Sequence, residues 1–523
     1  MTNKLMPESP SHRQVLKAGA AALAALHTPL AFAGPLHTRK NLQGRNVTRD
    51  LQNYKKAVAA MLKLPPTDPR NWYRNALTHM FDCPHGNWWF LVWHRAYLGW
   101  FEQTCRTLCG DPTFALPFWD WTAAPEVPGE FWNDVLDPSN SGFVSDGNTF
   151  DGAFRQPVRT YWDRLSPAQR RQMDARGYGD FEAFWDGRFG VLSSFPRGGA
   201  RDLTAAAPQL GPRAAAAVRE QVLRDLLAPR DFVSRPGGTA FESRRTPNHH
   251  SSRDQSVLEG QPHNLVHASI SGFMGDFLSP VDPIFFLHHC NIDRLWDVWT
   301  RKQQAMGRPT GPSGEAWTAF SREAFLFFHD SAGGPARKKT AGDYFSVGNF
   351  GYDYEPGTGS DTVDRASPVA AAPVAVSTSA SGTLGIRRAA TVALRLPEAI
   401  ARPPLAATPP RIFARVTIAP PRVAGDVTYD VFVGPRGAPV DLQPDGPNYA
   451  GSFAFFGHDH HASMPATFTI GITEAVNRLR AQGALTEAQP VDVSVVADAQ
   501  LGLARSTAAG TEGRLQSVSI GTF

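Results

Sequence analysis

Two tight sets of histidine constrain this chain more than any other feature. His79, His85 and His94 fall within 16 residues, in T-H-M-F-D-C-P-H-G-N-W-W-F-L-V-W-H-R-A-Y-L. His263, His267 and His289 form the second set, in E-G-Q-P-H-N-L-V-H and D-P-I-F-F-L-H-H-C-N-I-D-R-L-W. Residues four apart on a helix share a face, so His263 and His267 present both imidazoles to one side. His94 and His289 sit in long apolar-aromatic segments, residues 88–108 and 283–304, that read as helices, the second with Pro283 in its first turn.

Each set supplies three neutral imidazoles and no carboxylate or thiolate. Imidazole suits copper, and three ligands leave a coordination position open. Two such sets facing each other across a helix bundle could clamp dioxygen between two metals. Lone histidines in apolar helices are usually hydrogen-bonded core residues, but six at these spacings, among Trp and Phe, point to metal. Zinc is the other metal reading, since histidine-rich zinc sites exist. A single zinc would leave half of the six without a task.

The chain is 523 residues long, too long for one ordinary core. Residues 51–63 have helical periodicity and stop at Pro65-Pro66; 205–227 contain a peripheral helix; 128–155, rich in Gly, Asp, Ser and Asn, read as a loop. Composition shifts to Pro, Ala, Ser, Thr and Gly over 356–410, which reads as a linker. From residue 411 apolar positions alternate, as in Val416 and Ile418 or Tyr429, Val431 and Val433, and one helix, 474–482, interrupts the strands.

Four cysteines in so long a chain exclude a disulfide scaffold, and Cys105 and Cys109, four apart on a helix, read as packed thiols. A formal charge of +4 is too small to argue for nucleic acid. Residues 1–34 read either as an export signal or as a tail: Ser11 to Lys17 precedes an alanine-rich run, with Ala31-Phe32-Ala33 as a cleavage point. The start resembles a twin-arginine signal with His12 where the first arginine should stand. Export would make the protein periplasmic or secreted, of bacterial type; without it the protein would be cytoplasmic. No other apolar run is long enough to span a bilayer.

The two histidine stretches resemble the copper-binding signatures of tyrosinases, catechol oxidases and molluscan hemocyanins. H-G-N-W-W-F-L-V-W-H-R-A-Y-L is similar to the first site; H-N-x-x-H with D-P-I-F-F-L-H-H-C-N-I-D-R-L-W is similar to the second. Leu116-Pro117-Phe118-Trp119-Asp120-Trp121 also matches, and Gly351-Tyr352-Asp353-Tyr354 resembles the Tyr-x-Tyr element closing the catalytic domain of plant and fungal members. Tyr429-Asp430-Val431-Phe432 and Tyr449 to Phe453 resemble their shielding domain. The resemblance implies a multidomain chain. A mainly α catalytic domain, residues 35–355, would hold a dicopper centre in a four-helix bundle. The linker and a β-rich, sandwich-like shielding domain, 411–523, would follow.

By the same resemblance two copper ions are bound per chain, copper A by His79, His85 and His94 and copper B by His263, His267 and His289. His288 lies about 100° round the helix from His289 and is expected to point away. Cys83 would form a thioether to His85, Glu259 and Asn264 would hold the water that takes the phenolic proton, and Phe277 would gate copper A. Arg95 and Asp293-Arg294 read as structural, with Arg95 pairing to Asp297 or Asp120. Among the C-terminal aromatics, alternation turns Phe453 and Phe455 inward and leaves Phe456 as the ring placed over the coppers. His458, His460 and His461 read as exposed loop residues. The implied activity is oxidation of o-diphenols to o-quinones with O2, together with ortho-hydroxylation of monophenols. An o-aminophenol oxidase and a hemocyanin-like oxygen-binding protein are the alternatives, the latter opposed by the single unit without repeats. The implied partners are small phenols and O2, with no nucleic acid and no membrane; a homo-oligomer stays open.

Overall fold

The computed structural model describes residues 36–522 apart from 234–238, 253, 366–374, 385–388, 397–399, 401–409, 420–426, 440, 442, 445, 458–464, 485–489 and 500–512. The export-signal reading and the His458, His460, His461 group lie outside the described residues. Among the described residues no helix is long and apolar enough to cross a membrane.

The N-terminal two thirds is helical. Helix α1 (Thr48–Lys63) buries Leu51, Tyr54, Val58 and Met61, spaced three or four apart, on one stripe. Helix α2 (Trp72–Asp82) starts where the Asn71 side chain accepts from the backbone N–H of Tyr73 and Arg74. Helix α3 (Phe90–Cys109) ends on Gly110 in the left-handed conformation. Residues 128–155, expected as a loop, hold two short 3-10 turns and then open helix α4 (Gly147–Asp163), whose Asp146 cap accepts from Thr149 N–H. The loop reading holds between them, where Asp137 and Asn140 accept from the N–H groups of Ser139 and Gly142 in tight turns; the helix begins only at Gly147. The expected 205–227 helix is two pieces, α5 (Pro212–Ala217) and α6 (Glu220–Leu226). Helices α7 (Asn264–Ile270) and α8 (Ile284–Ala305) carry His267 and His289, and α3 packs between α1 and α8. Aromatic side chains fill the core; Phe101 and Phe286 stack with centroids 3.5 Å apart.

One buried ionic network fastens the two ends of this region. Arg39 Nε donates to Glu102 (2.9 Å), and Asp293 accepts from Arg95 Nε (2.7 Å) and from the hydroxyls of Tyr352 and Tyr354 (2.5 and 2.6 Å). Each buried charge thus has a partner, the condition under which such groups are tolerated. Arg95 therefore pairs with Asp293 and not with Asp297 or Asp120: its guanidinium lies 3.5 Å over Trp296, while Asp297 takes Arg301 and Asp120 accepts from Thr358.

The C-terminal region is a sandwich. The strands are β1 (His37–Arg39), β2 (Asp254–Gln255), β3 (Tyr352–Tyr354), β4 (Ala375–Leu384), β5 (Ala390–Leu394), β6 (Ile412–Ala419), β7 (Val427–Pro435), β8 (Tyr449–Ala454), β9 (Ala466–Gly471), β10 (Val491–Ala499) and β11 (Gly513–Thr522). One sheet has the order β5-β10-β7-β8, the other β2-β9-β6-β11-β4, and β1 pairs with β3. Val416, Ile418, Val431, Val433, Phe468 and Val493 share the core between the sheets. Helix α9 (Thr473–Ala481) packs beside them.

The linker expected over 356–410 is corrected here. Strands β4 and β5 lie inside it and pair antiparallel with β11 and β10. Their small and hydroxyl-bearing residues hid the alternation. The sandwich also recruits the helical region, because β2 adds to β9 in parallel, with Asp254 opposite Thr467 and Gln255 opposite Phe468.

Candidate metal centre

The two histidine sets meet in the centre of the helical region. His79 lies one turn before the end of α2, and His94 lies in the first turns of α3. Between them the chain turns through Gly86, at φ 66°, a conformation that favours glycine, and this brings His85 back over α2. The π-helical turn Glu259–His263 leads into α7 and contains Pro262, whose missing N–H disfavours regular α-helix bonding there. It places His263 beside His267, ring centroids 4.5 Å apart. The Nε2 atoms of His79 and His94 are 3.4 Å apart, and those of His267 and His289 are 3.3 Å apart. Across the gap His94 and His289 stack at 4.3 Å, and His85 faces His263 at 5.4 Å.

Hydrogen bonds fix which nitrogen is free. Nδ1–H of His79, His94 and His267 donates to the carbonyls of Phe277 (2.9 Å), Phe90 (2.8 Å) and Met274 (2.6 Å), and that of His263 to Asn264 Oδ1 (2.7 Å). The lone pair of each ring is then on Nε2, aimed into the shared space. Burial pushes all six imidazoles below their usual range, His94 and His267 to about 3, so they stay neutral. Neutral rings with converging lone pairs, and a buried His263 Nε2 with no protein partner, fit metal binding.

His288 is not turned away, as its angle on the helix predicts. Its ring lies 5.0 Å from His267 and 5.5 Å from His263, because α8 runs close enough to offer two successive residues. Its hydrogen bonding separates it instead. Trp121 Nε1–H donates to His288 Nδ1 (3.1 Å), which puts the ring hydrogen on Nε2. A His288 that gave Nε2 to a metal would carry a hydrogen on Nδ1, facing the Trp121 donor.

Glu259 is fully buried; it accepts from Gly86 N–H (2.6 Å) and Ser243 Oγ–H (2.9 Å) and lies 3.3 Å from His85 Nδ1. Burial, then the charge of Glu242, pushes its carboxyl well above the usual range. Glu242 is itself pushed to about 8 by burial. Asn264 Nδ2 donates to Gln255 Oε1 and to the Ala454 carbonyl, both at 2.6 Å. Phe277 sits 6.0 Å from His79 and 5.9 Å from His85. Cys83 is buried at the end of α2, with Arg176 Nη2 3.4 Å from its sulfur. Residues 239–256 supply Glu242, Ser243 and Gln255, none of them anticipated; this segment has no periodicity to mark it as part of the centre.

Phe456 reaches the histidines from the sandwich. Its ring is 4.5 Å from both His85 and His267 and 5.6 Å from Phe277. Phe453 and Phe455 turn the other way, onto Phe468 at 4.2 and 4.9 Å. Gly457, at φ 64°, follows, and a Cβ there would stand 2.9 Å from the Phe277 ring. The remaining cleft beside Asn264, His267 and Phe456 holds ≈ 20 Å³, room for about one water.

Residues 52–302 match the family model described as the common central domain of tyrosinase. A tyrosinase of Hahella sp. (strain CCB-MM4) is 26% identical over 475 residues, covering 82% of this chain and 88% of its own. A chloroplastic polyphenol oxidase of Malus domestica is 24% identical over 477 residues, covering 82% and 70%. The solved structure of latent apple tyrosinase matches with a TM-score of 0.55 at 20% identity, over 94% of this chain and 98% of that one. A functional unit of octopus hemocyanin matches at 0.51 and 16% identity, over 92% and 99%.

Proposed function

This chain belongs to the tyrosinase and polyphenol oxidase family of type 3 copper proteins, and from that premise we propose that it oxidises o-diphenols to o-quinones with O2 and hydroxylates monophenols at the ortho position. The observation that carries this reading is the convergence of six neutral imidazoles on one buried space that a phenyl ring, Phe456, enters from the other domain. In this reading His79, His85 and His94 hold one copper, and His263, His267 and His289 hold a second. Bound copper would supply the redox chemistry, the transfer of electrons from the phenol to O2.

The chain's own groups do the rest. The backbone carbonyls of Phe277, Phe90 and Met274 fix the ring orientations, which spares the centre reorganisation during turnover. Glu259, lifted by burial, has the proton affinity of a general base, and with Asn264 it positions the water that receives the phenolic proton. Phe277 stacks over the incoming ring, and Phe456 occupies the substrate position until the sandwich is displaced. Cys83 would join His85 through a thioether, the thiol and the imidazole carbon each giving up one hydrogen with O2, the co-substrate, taking the two electrons, and so would fix the ligand that sits on a loop.

The test is copper-loaded protein cut between Arg365 and Ala375, ahead of β4, assayed for O2 uptake and quinone absorbance with catechol, a monophenol and o-aminophenol. Quinone from catechol and from the monophenol is expected. Reversible O2 binding without quinone would make it a carrier, and turnover of o-aminophenol alone would make it an aminophenol oxidase.

A further inference from the structure

Among the described residues, one more cluster of metal-ligating side chains converges outside the two histidine sets, formed by Asp82, His249 and His250. All three are buried, and the mechanism above uses none of them. Asp82 Oδ1 lies 3.0 Å from His249 Nε2 and 3.9 Å from His250 Nε2, and the three ligand atoms fall within 4.8 Å of one another. Ligand atoms about 2.0–2.1 Å from a tetrahedral metal stand roughly 3.3 Å apart. The two measured separations bracket that value.

The supporting groups are those a metal site needs. Trp93 Nε1–H donates to the other Asp82 oxygen (2.9 Å), and His249 Nδ1 lies 2.6 Å from Glu323 Oε1. The second contact puts a carboxylate behind a histidine ligand, which sets its tautomer and leaves Nε2 to face the ion. Asn87 Nδ2 donates to the His249 carbonyl (2.9 Å) and fixes the backbone that carries the pair.

We propose that Asp82, His249 and His250 form a third metal site, taking a divalent ion of the zinc type through two imidazoles and one carboxylate, with its fourth position open to water. Asp82 ends the helix that carries His79, so the ion would clamp that helix to the 248–251 segment behind the first histidine set. Its role there is structural.

Zinc binding to the full chain tests this. Copper-loaded protein is incubated with Zn2+, gel-filtered and analysed for both metals per chain, alongside His250→Ala, Asp82→Asn and His94→Ala. One zinc is expected in the wild type and in His94→Ala, and none in His250→Ala or Asp82→Asn, with anomalous scattering at the zinc edge placing the ion between the three side chains. Zinc should also raise the Tm of the wild type and not that of His250→Ala. Where Asp82→Asn fails to fold, His250→Gln replaces it. No zinc in the wild type, or zinc that is lost in His94→Ala and kept in His250→Ala, overturns the site and leaves His249 as an ion-paired core residue.

Discussion

The amide of Asn264 is held by the other domain: its Nδ2 donates to the carbonyl of Ala454 at 2.6 Å, while its Oδ1 accepts from His263 Nδ1. The residue proposed to orient a water beside the histidines is therefore occupied as long as β8 stays docked. Its second N–H goes to Gln255, the strand residue through which the catalytic region joins the sandwich. Docking thus acts on two parts of the centre at once, placing Phe456 against His85 and His267 and engaging the Asn264 amide.

Removing the ring alone should separate those effects. Truncating a packed Phe to alanine costs about 3–5 kcal/mol of contact energy, and 1.4 kcal/mol is already tenfold. Phe456→Ala in the uncut chain should raise catechol oxidation by at least about tenfold, measured as initial quinone formation. An uncut variant no more active than the wild type would show that Phe456 does not hold the domain shut.

Glu259→Gln and Asn264→Gly should lower monophenol hydroxylation more than diphenol oxidation. A positioned general base contributes about 10²–10⁴-fold to the step that needs it, and the monophenol must be deprotonated before it reacts. The readout is the ratio of the two activities in the cut enzyme. Equal losses on both substrates would leave these residues a structural role only.

The histidine sets were legible because the chemistry fixes both residue type and spacing, and the long helices beneath them were legible from period. The tautomer of His288 was not, because it depends on Trp121, 167 positions away in the chain. Nor were β4 and β5, since small residues pair in sheets without showing apolar alternation. Ser243 comes from irregular backbone and Gln255 from a two-residue strand, where only the folded chain shows which residues turn inward. Phe456 was singled out by the resemblance to the shielding domain together with alternation, which turned Phe453 and Phe455 inward and left Phe456 facing the other way.

His289→Ala should bind one copper per chain and lose nearly all activity, whereas His288→Ala should keep both coppers. The argument is the hydrogen bond from Trp121, which leaves His288 without a free Nε2 lone pair. Metal analysis of the two variants decides it. A His289 variant with full copper, or a His288 variant lacking one, would reverse the assignment.

Cys83→Ser should bind copper at reduced occupancy, because a thioether would restrain the His85 ring without ligating the metal. Peptide mass mapping of the copper-loaded wild type should find Cys83 and His85 joined, two hydrogens lighter than the separate peptides. A Cys83 that still alkylates in that protein would rule the link out.

The hold of the sandwich on the catalytic region should weaken as pH rises from about 4 to about 7. Asp225 on α6 is buried at the seam, where it accepts from Thr473 Oγ1 (2.8 Å) and lies 3.4 Å from Arg411. Burial lifts its carboxyl to about 7 against the opposing pull of Arg411, whereas a released, solvated Asp titrates near its ordinary ~3.9. The docked state therefore binds the extra proton throughout that window. The contact is strongest below pH ~4, loses at most about tenfold in its equilibrium per unit of pH up to ~7, and is flat above. Cleavage between Arg365 and Ala375, followed across this range, should release the sandwich faster towards neutral pH. In Asp225→Asn the side chain stays neutral and can still accept from Thr473, so its release should be insensitive to pH once scaled to the protease's own profile. A wild type with the same flat profile would mean that Arg411 pairs with the charged carboxylate closely enough to cancel its burial.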